Sequence, residues 1–363
     1  MIQLDQKNRI TSIDFFRFFA VLAVIFIHAH PFKSAYDSYR AGNASFFIPG
    51  ISEIVIRQAT VFAIPYFYII AGYFFGTKIT DQNSLGSVLA RYLKRLFFIW
   101  LFWLFFYFFI PVQNFGYFMQ YGYATYIRSK IDYVMHDPLT IINNGAGVGI
   151  LYFLSYLMIS LCIIALLYRL HLKKIILLLA ALFCFLDLTA SSYSATPVGV
   201  ALNNFFKNNK FLAQCYLHTA QYAGSIFFVA IGWWLSTRKK IINPNYSLGL
   251  TVSGLFLSYF TFFFLLDQPI AAFVATVLYA GGLAMYAIAK PDLDRNSFIA
   301  KCGKLSLGVY ATHVLSLNVL FVIYNLYPGN AYWEIIYPLS AYCLSLIIVI
   351  LFSKNNLLRH VVI

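Results

Sequence analysis

Charge is scarce in this sequence. Only 10% of its 363 residues are charged, and just 12 are acidic. A soluble domain carries about a quarter of its residues as Asp, Glu, Lys and Arg, so this balance argues against a soluble globular body. Cysteine is thin as well. Cys162, Cys184, Cys215, Cys302 and Cys343 lie in or beside apolar runs with no pair at metal-ligand spacing, and they read as small buried hydrophobes. A Gly-x-Ser-x-Gly elbow, zinc spacing and a pair of catalytic carboxylates are all missing, which removes most soluble-hydrolase chemistry. The glycine-rich stretch 143–149 has no strand before it and no Gly-Lys-Ser/Thr after it, so it is a flexible lead-in rather than a phosphate loop. The first apolar run follows Lys7 and Arg9 and lacks a small-residue cleavage site; it is expected to remain in the mature chain.

What is present is apolar. Hydrophobic residues make up 61% of the chain and aromatics 20%, with 38 Phe and 28 Tyr. Soluble cores rarely exceed half apolar, so an all-α, polytopic membrane bundle is expected, formed as one transmembrane domain over residues 1–363. Ten runs approach the ~20 residues needed to cross the hydrocarbon layer: 12–32, 57–76, 96–115, 149–169, 174–190, 216–236, 246–266, 270–290, 304–326 and 334–353. The connections between them alternate between basic-rich and basic-poor, as in Arg91, Lys94 and Arg95 or Arg169, Lys173 and Lys174. The positive-inside rule then puts both termini in the cytoplasm of a multi-pass protein of the cell (inner or plasma) membrane. The net charge of +14 reports this topology. Its spread between apolar runs makes the lipid bilayer, and no nucleic acid, the expected partner.

The first run holds the strongest signal. Asp14, Arg17 and His28 sit in apolar surroundings, where a charge costs at least a few kcal/mol and marks a functional site by default. Arg17 and His28 are eleven residues apart, about three helical turns, so both leave the helix on nearly one face, ~16 Å apart along its axis. Asp14, three residues before Arg17, is placed to pair with it. A neutral imidazole takes a proton from a hydroxyl near neutral pH, which suits His28 to general-base catalysis. His30 points elsewhere and reads as interfacial, and Pro31 ends the helix.

Other candidates are weaker one by one. In 64–74, Pro65 frees backbone carbonyls, and Ala71-Gly72 admits a second helix or a ligand close to the backbone. Arg91, Lys94 and Arg95 suit either anionic lipid or the phosphates of a nucleotide-bearing donor. His313 lies near mid-membrane and either lines a cavity with Arg17 or is a satisfied core histidine. Glu53, Asp132 and Asp137 are carboxylates that can orient His28 or an acceptor hydroxyl, and the residues do not choose among them. His136, His171, His218 and His360, in or next to loops, carry no comparable signal.

Taken in order, these motifs resemble the membrane-bound acyltransferase family 3, whose members acylate surface carbohydrates. Ile13-Asp14 with Arg17-x10-His28 is similar to its opening motif. The run from Arg57 to Phe75 resembles its second-span pattern, with Ala71 where that family usually has Ser. The basic run Arg91 to Arg95, Leu151-Tyr152-Phe153-Leu154 with Tyr152 for Trp, and the Ser-x-Gly-x-Tyr-x-x-His pattern from Ser306 to His313 follow. The resemblance implies transfer of an acetyl or other short acyl group from cytoplasmic acyl-CoA, most often acetyl-CoA, to a sugar hydroxyl. His28 would be the base, with Arg17 and Asp14 supporting it. Arg91, Lys94, Arg95, Tyr310 and His313 would meet the donor, and Glu53, Tyr68 and Tyr73 the carbohydrate acceptor. No permanently bound cofactor is expected, and homo-oligomerisation is left open. The competing reading is a polysaccharide exporter or proton-coupled transporter, which a buried Arg–His stripe also suits.

Overall fold

The computed structural model describes residues 10–42, 47–79, 82–112, 115–145, 147, 149–191, 196–207, 222–238, 242–264, 269–294, 297–324, 330–356 and 358–362. Among the described residues every regular element is helical. In chain order these are α1 (Thr11–Ala29), α2 (Lys33–Arg40), α3 (Phe47–Thr60), α4 (Ala63–Lys78), α5 (Gln82–Phe109), α6 (Phe115–His136), α7 (Thr140–Asn144) and α8 (Tyr152–Arg169). There follow α9 (Ile176–Ser191), α10 (Pro197–Lys207), α11 (Ala223–Ser236), α12 (Pro244–Phe264) and α13 (Pro269–Ala289). The last are α14 (Phe298–Gly303), α15 (Ser306–Tyr324), α16 (Ala331–Lys354) and a closing 3₁₀ turn, Leu358–Val361.

Among the described residues 7 helices are long and apolar enough to cross a membrane, and shorter apolar helices occupy Ile176–Thr189, Ala223–Ser236 and Ser306–Phe321. The molecule is a polytopic helical membrane protein. The packing of α12 makes the same point. Its buried stripe is small and polar, Ser247, Thr251, Gly254, Ser258 and Thr261, at alternating spacings of four and three. Its outward stripe carries Phe256, Phe260 and Phe264, stacked on one another. A helix in water does the reverse; small residues inside and aromatics outside suit a helix whose solvent is lipid.

The chain forms two compact units. One comprises Met1–Ile64, Arg95–Ser155 and Ala287–Ile363, the other Pro65–Lys94 and Tyr156–Tyr286. In the first, α1 is fixed at its start by its own backbone: the Thr11 and Ser12 amides donate to the Pro291 carbonyl, and the Ser12 hydroxyl donates to that of Ala287. At Gly303 a side chain is impossible, because a Cβ there would lie 1.7 Å from the Asp14 carbonyl oxygen. The missing side chain is what lets α14 lie on α1. Polar contacts lock the later helices together. Tyr337 donates to the Leu317 carbonyl at 2.9 Å, Ser345 to Ser316 at 2.8 Å, and Tyr107 to the Ala311 carbonyl at 2.7 Å. In apolar surroundings each such group needs a partner inside the protein.

In the second unit glycines again set the approach. A Cβ on Gly72 would meet the Val229 carbonyl oxygen at 2.1 Å, and one on Gly232 the Ile69 oxygen at 1.8 Å. Thus α4 and α11 cross backbone to backbone, and the close approach offered by Gly72 is taken by a helix. Gly254 against Tyr279 and Gly282 against Thr251 do the same for α12 and α13.

Local structure departs from the sequence reading in three places. The expected span 57–76 is broken: α3 ends at Thr60 and α4 begins at Ala63. Pro65 therefore sits in the first turn of α4, where its missing amide removes no helical bond and frees no carbonyl. The third run begins at Gln82 rather than 96, so Arg91 to Arg95 are helical. Much of the connection 116–148 is helix rather than loop, broken at Gly122, whose φ of 78° is open to glycine.

Candidate functional site

The site grows from α1. Asp14, 7% exposed at its side chain, accepts from the Arg17 guanidinium at 3.2 Å. The i, i+3 spacing places them on one face, as expected. Arg17 retains 28% side-chain exposure, so the cation is paired but not fully enclosed.

Three turns on, α1 brings its third ionisable group to α15. The His28 and His313 rings lie 5.2 Å apart at an interplanar angle of 42°. His28 is exposed, and His313 is fully buried. The tautomer of His313 follows from its neighbours. Its Nδ1 faces the Tyr310 carbonyl, which only accepts, so the proton is on Nδ1. Nε2 is left with a lone pair, buried and without a hydrogen-bond partner among the described residues. Tyr310 is held in turn: its hydroxyl donates to the Ile150 carbonyl, and Phe153 packs on its ring at 5.0 Å. Leu151 to Leu154 and Ser306 to His313, far apart in sequence, thus share one cluster.

The end of α1 is strained and latched. His30 and Phe32 adopt φ of 47° and 62°, a left-handed conformation that costs non-glycine residues about 1 kcal/mol each. The Phe32 amide donates to the Glu334 carboxylate at 2.8 Å, and the other carboxylate oxygen accepts from the Tyr324 hydroxyl at 2.7 Å. Glu334 is 4% exposed. It ties the turn beside His28 to the ends of α15 and α16. Sequence reasoning missed this residue, although an acid opening an apolar run was a usable signal.

Beside the same turn lies a cleft of about 340 Å³ whose walls include Phe26, Ile27, His30, Glu53 and Arg57. Glu53 is buried, 8% exposed, with Arg57, Lys33, Glu334 and Asp37 as its charged neighbours. Partial burial, together with the cations Lys33 and Arg57, holds the His30 imidazole below its ordinary range. Asp132 and Asp137 are not in this wall. Asp132 is exposed, and Asp137 accepts from the Leu139 amide at 3.0 Å, closing a turn of its own.

The remaining candidates are distributed over the chain. Arg91, Lys94 and Arg95 are exposed on α5 at i, i+3 and i+4, one face of a helix. Tyr68 and Tyr73 lie on α4 in the second unit, Tyr68 buried and Tyr73 half-buried with its ring edge-on to Phe74. His136, His171 and His360 are exposed. Cys162, Cys184, Cys302 and Cys343 are free thiols. His218 and Cys215 lie outside the described residues. Among the described residues no His, Cys, Asp and Glu group could hold a metal ion.

A multi-helix membrane protein with an exposed histidine backed by a buried one is thereby defined, and comparison with known proteins supplies the rest. The family model for acyltransferase family 3, described as an acyltransferase domain, matches residues 10–354. The chain belongs to this family. A protein of Enterococcus faecalis named amino-acid racemase is 27% identical over 249 residues, 67% of this chain but 30% of that protein. The chain therefore spans less than a third of this relative's length. No solved structure matches.

Proposed function

We propose that this membrane acyltransferase moves an acetyl or other short acyl group from acyl-CoA to a hydroxyl of a surface or lipid-linked carbohydrate, with His28 as general base. The observation that carries the reading is the histidine pair: His28 is exposed and can meet a ligand, while His313 stands behind it with an available lone pair. His28 removes the proton from the acceptor hydroxyl, and the oxygen attacks the thioester carbonyl. The carbon–sulfur bond breaks, and the CoA sulfur leaves with the proton that His28 had taken. While His28 is an imidazolium, a small shift brings its second N–H toward Nε2 of His313, which stabilises the charge. No serine or cysteine nucleophile is needed. Asp14 and Arg17 support the helix that presents the base, and Arg17 offers a fixed positive charge to the donor.

The three cations of α5 suit CoA phosphates, since Arg binds phosphate through two parallel N–H bonds. This assignment, like the cytoplasmic placement of both termini and of the donor, belongs to the proposal. Purified protein in nanodiscs, given acetyl-CoA and a carbohydrate acceptor, is expected to release free CoA thiol and to add one acetyl mass to the sugar. Movement of intact glycan with no CoA release would instead support a carrier.

A further inference from the structure

The cleft beside the end of α1 takes no part in the histidine pair, and its charges stand in a particular arrangement. On α3, Glu53, Ile56 and Arg57 lie at i, i+3 and i+4, one face of the helix, and line it together. On α2, Lys33 and Asp37 line it too, and they pair with each other at 2.5 Å. Among the described residues the ion pairs are Arg17 with Asp14 and Lys33 with Asp37. Glu53 and Arg57 stand apart, although one helical turn between acid and base is the spacing at which such a pair ordinarily forms. Glu53 is 8% exposed and Arg57 is exposed. One wall thus offers a carboxylate and a guanidinium, neither neutralised at contact distance. The cleft as a whole carries no net charge, since His30 is held below its ordinary range.

Depth in the membrane narrows the ligand. α1 runs for 19 residues, Thr11–Ala29, a length that crosses the hydrocarbon layer, so the cleft at its end lies at head-group depth. Phe26 and Ile27, in the last turns of that helix, form its apolar side, and Ile48 and Val55 on α3 are exposed. Apolar surface and separated charges meet at one edge. We propose that the cleft binds the head group of a zwitterionic phospholipid with a primary ammonium, phosphatidylethanolamine. The ammonium donates to Glu53, the phosphate accepts two parallel N–H bonds from Arg57, and the acyl chains run past Phe26 and Ile27 into the bilayer. A purely anionic head group would face Glu53 and Asp37, and a purely cationic ligand Arg57 and Lys33. An uncharged ligand offers neither group a counter-charge, and a choline head group has no N–H to give Glu53. The volume of about 340 Å³ lies within the common range for ligand sites. A lipid held here stabilises the folded chain by mass action, beside the turn that Glu334 also holds. This role is independent of the acyl-transfer reading.

The test is a competition. The full chain is assembled in nanodiscs of equimolar phosphatidylethanolamine, phosphatidylcholine and phosphatidylglycerol, and the lipids it retains are counted by native mass spectrometry. Wild type is expected to keep phosphatidylethanolamine over each of the others by roughly tenfold, the worth of a hydrogen bond to a charged group. Glu53→Gln and Arg57→Gln should each erase most of that preference, with thermal midpoints unchanged in nanodiscs of phosphatidylcholine alone. Arg57 is exposed, so if Glu53→Gln fails to fold, Arg57→Gln decides the matter. Equal retention of the three lipids, a preference for phosphatidylglycerol, or a preference that the folded variants keep overturns the proposal. Free glycine or glycerophosphoethanolamine could instead raise the wild-type midpoint in pure phosphatidylcholine while the three lipids are retained alike. That result would make the cleft a site for a soluble zwitterion and overturn the lipid assignment.

Discussion

The Phe32 amide and the Glu334 carboxylate, 302 positions apart in the chain, meet at 2.8 Å. That single bond joins the turn after α1 to the start of α16. Through the Tyr324 hydroxyl on the other carboxylate oxygen it also reaches the end of α15, the helix of His313. Both histidines are therefore referenced to one buried acid.

Glu334→Ala removes both bonds and leaves the Phe32 amide and Tyr324 hydroxyl without their partner. Each lost bond to a charged group costs about 1.5–3 kcal/mol, and the left-handed turn at His30 and Phe32 loses its restraint. A clear fall in the thermal midpoint in detergent is expected, with a loss of kcat larger than any change in donor KM. Glu334→Gln keeps one oxygen to accept from the Phe32 amide, and its NH2 can donate to the Tyr324 hydroxyl oxygen once that hydroxyl turns, so it should recover most of the stability. Equal behaviour of the two variants would show that the latch does not matter.

Glycine substitutions separate packing from propensity. Gly303→Ala forces a methyl to within 1.7 Å of the Asp14 carbonyl oxygen. Backbone cannot yield as a side chain does, so the loss should exceed the 1–3 kcal/mol typical of overpacking and show as poor yield of folded protein. Gly86→Ala, at an exposed position in the first half of α5 with no atom within 4 Å of its Cβ, should instead gain about 0.5–1 kcal/mol from helix propensity. Thermal scans of the two variants against wild type measure the contrast.

Arg17 and Asp14 form a partly exposed pair, so its own contribution to stability is about 1 kcal/mol or less. Arg17→Lys keeps the charge but loses the planar fork. If Arg17 contacts the donor, this variant should raise the KM for acyl-CoA several-fold while the thermal midpoint stays near that of wild type. A midpoint that falls with unchanged KM would assign Arg17 to the helix alone.

His313→Asn retains a polar group in the buried cavity yet removes the basic Nε2. The account expects kcat to fall by roughly ten- to a hundredfold, a fraction of full general-base catalysis, with both KM values little changed. His313 would then be a positioning residue for the base. An unchanged kcat would leave the ring a packing element.

Much of this was legible beforehand, for physical reasons. A bilayer demands long apolar helices, so nearly every expected run has a helix over it. The Asp14–Arg17 pair follows from helical spacing alone. The partnership of His28 with His313 was only half legible: each histidine stood out as ionisable in an apolar run, but no local rule gives the 5.2 Å between them. Glu334 was not legible as a latch, because its partner is a backbone amide 302 positions earlier. The break between Thr60 and Ala63 was hidden because apolar residues continue through it.

The central claim is that the exposed imidazole at the end of α1 removes the acceptor's proton. The direct measurement is acceptor-dependent release of CoA thiol by His28→Ala in nanodiscs, set against wild type at saturating donor and acceptor, with folding checked by the thermal midpoint. The account predicts a folded variant whose rate is lower by about 10²–10⁴-fold. A folded His28→Ala protein that releases CoA at the wild-type rate would contradict it.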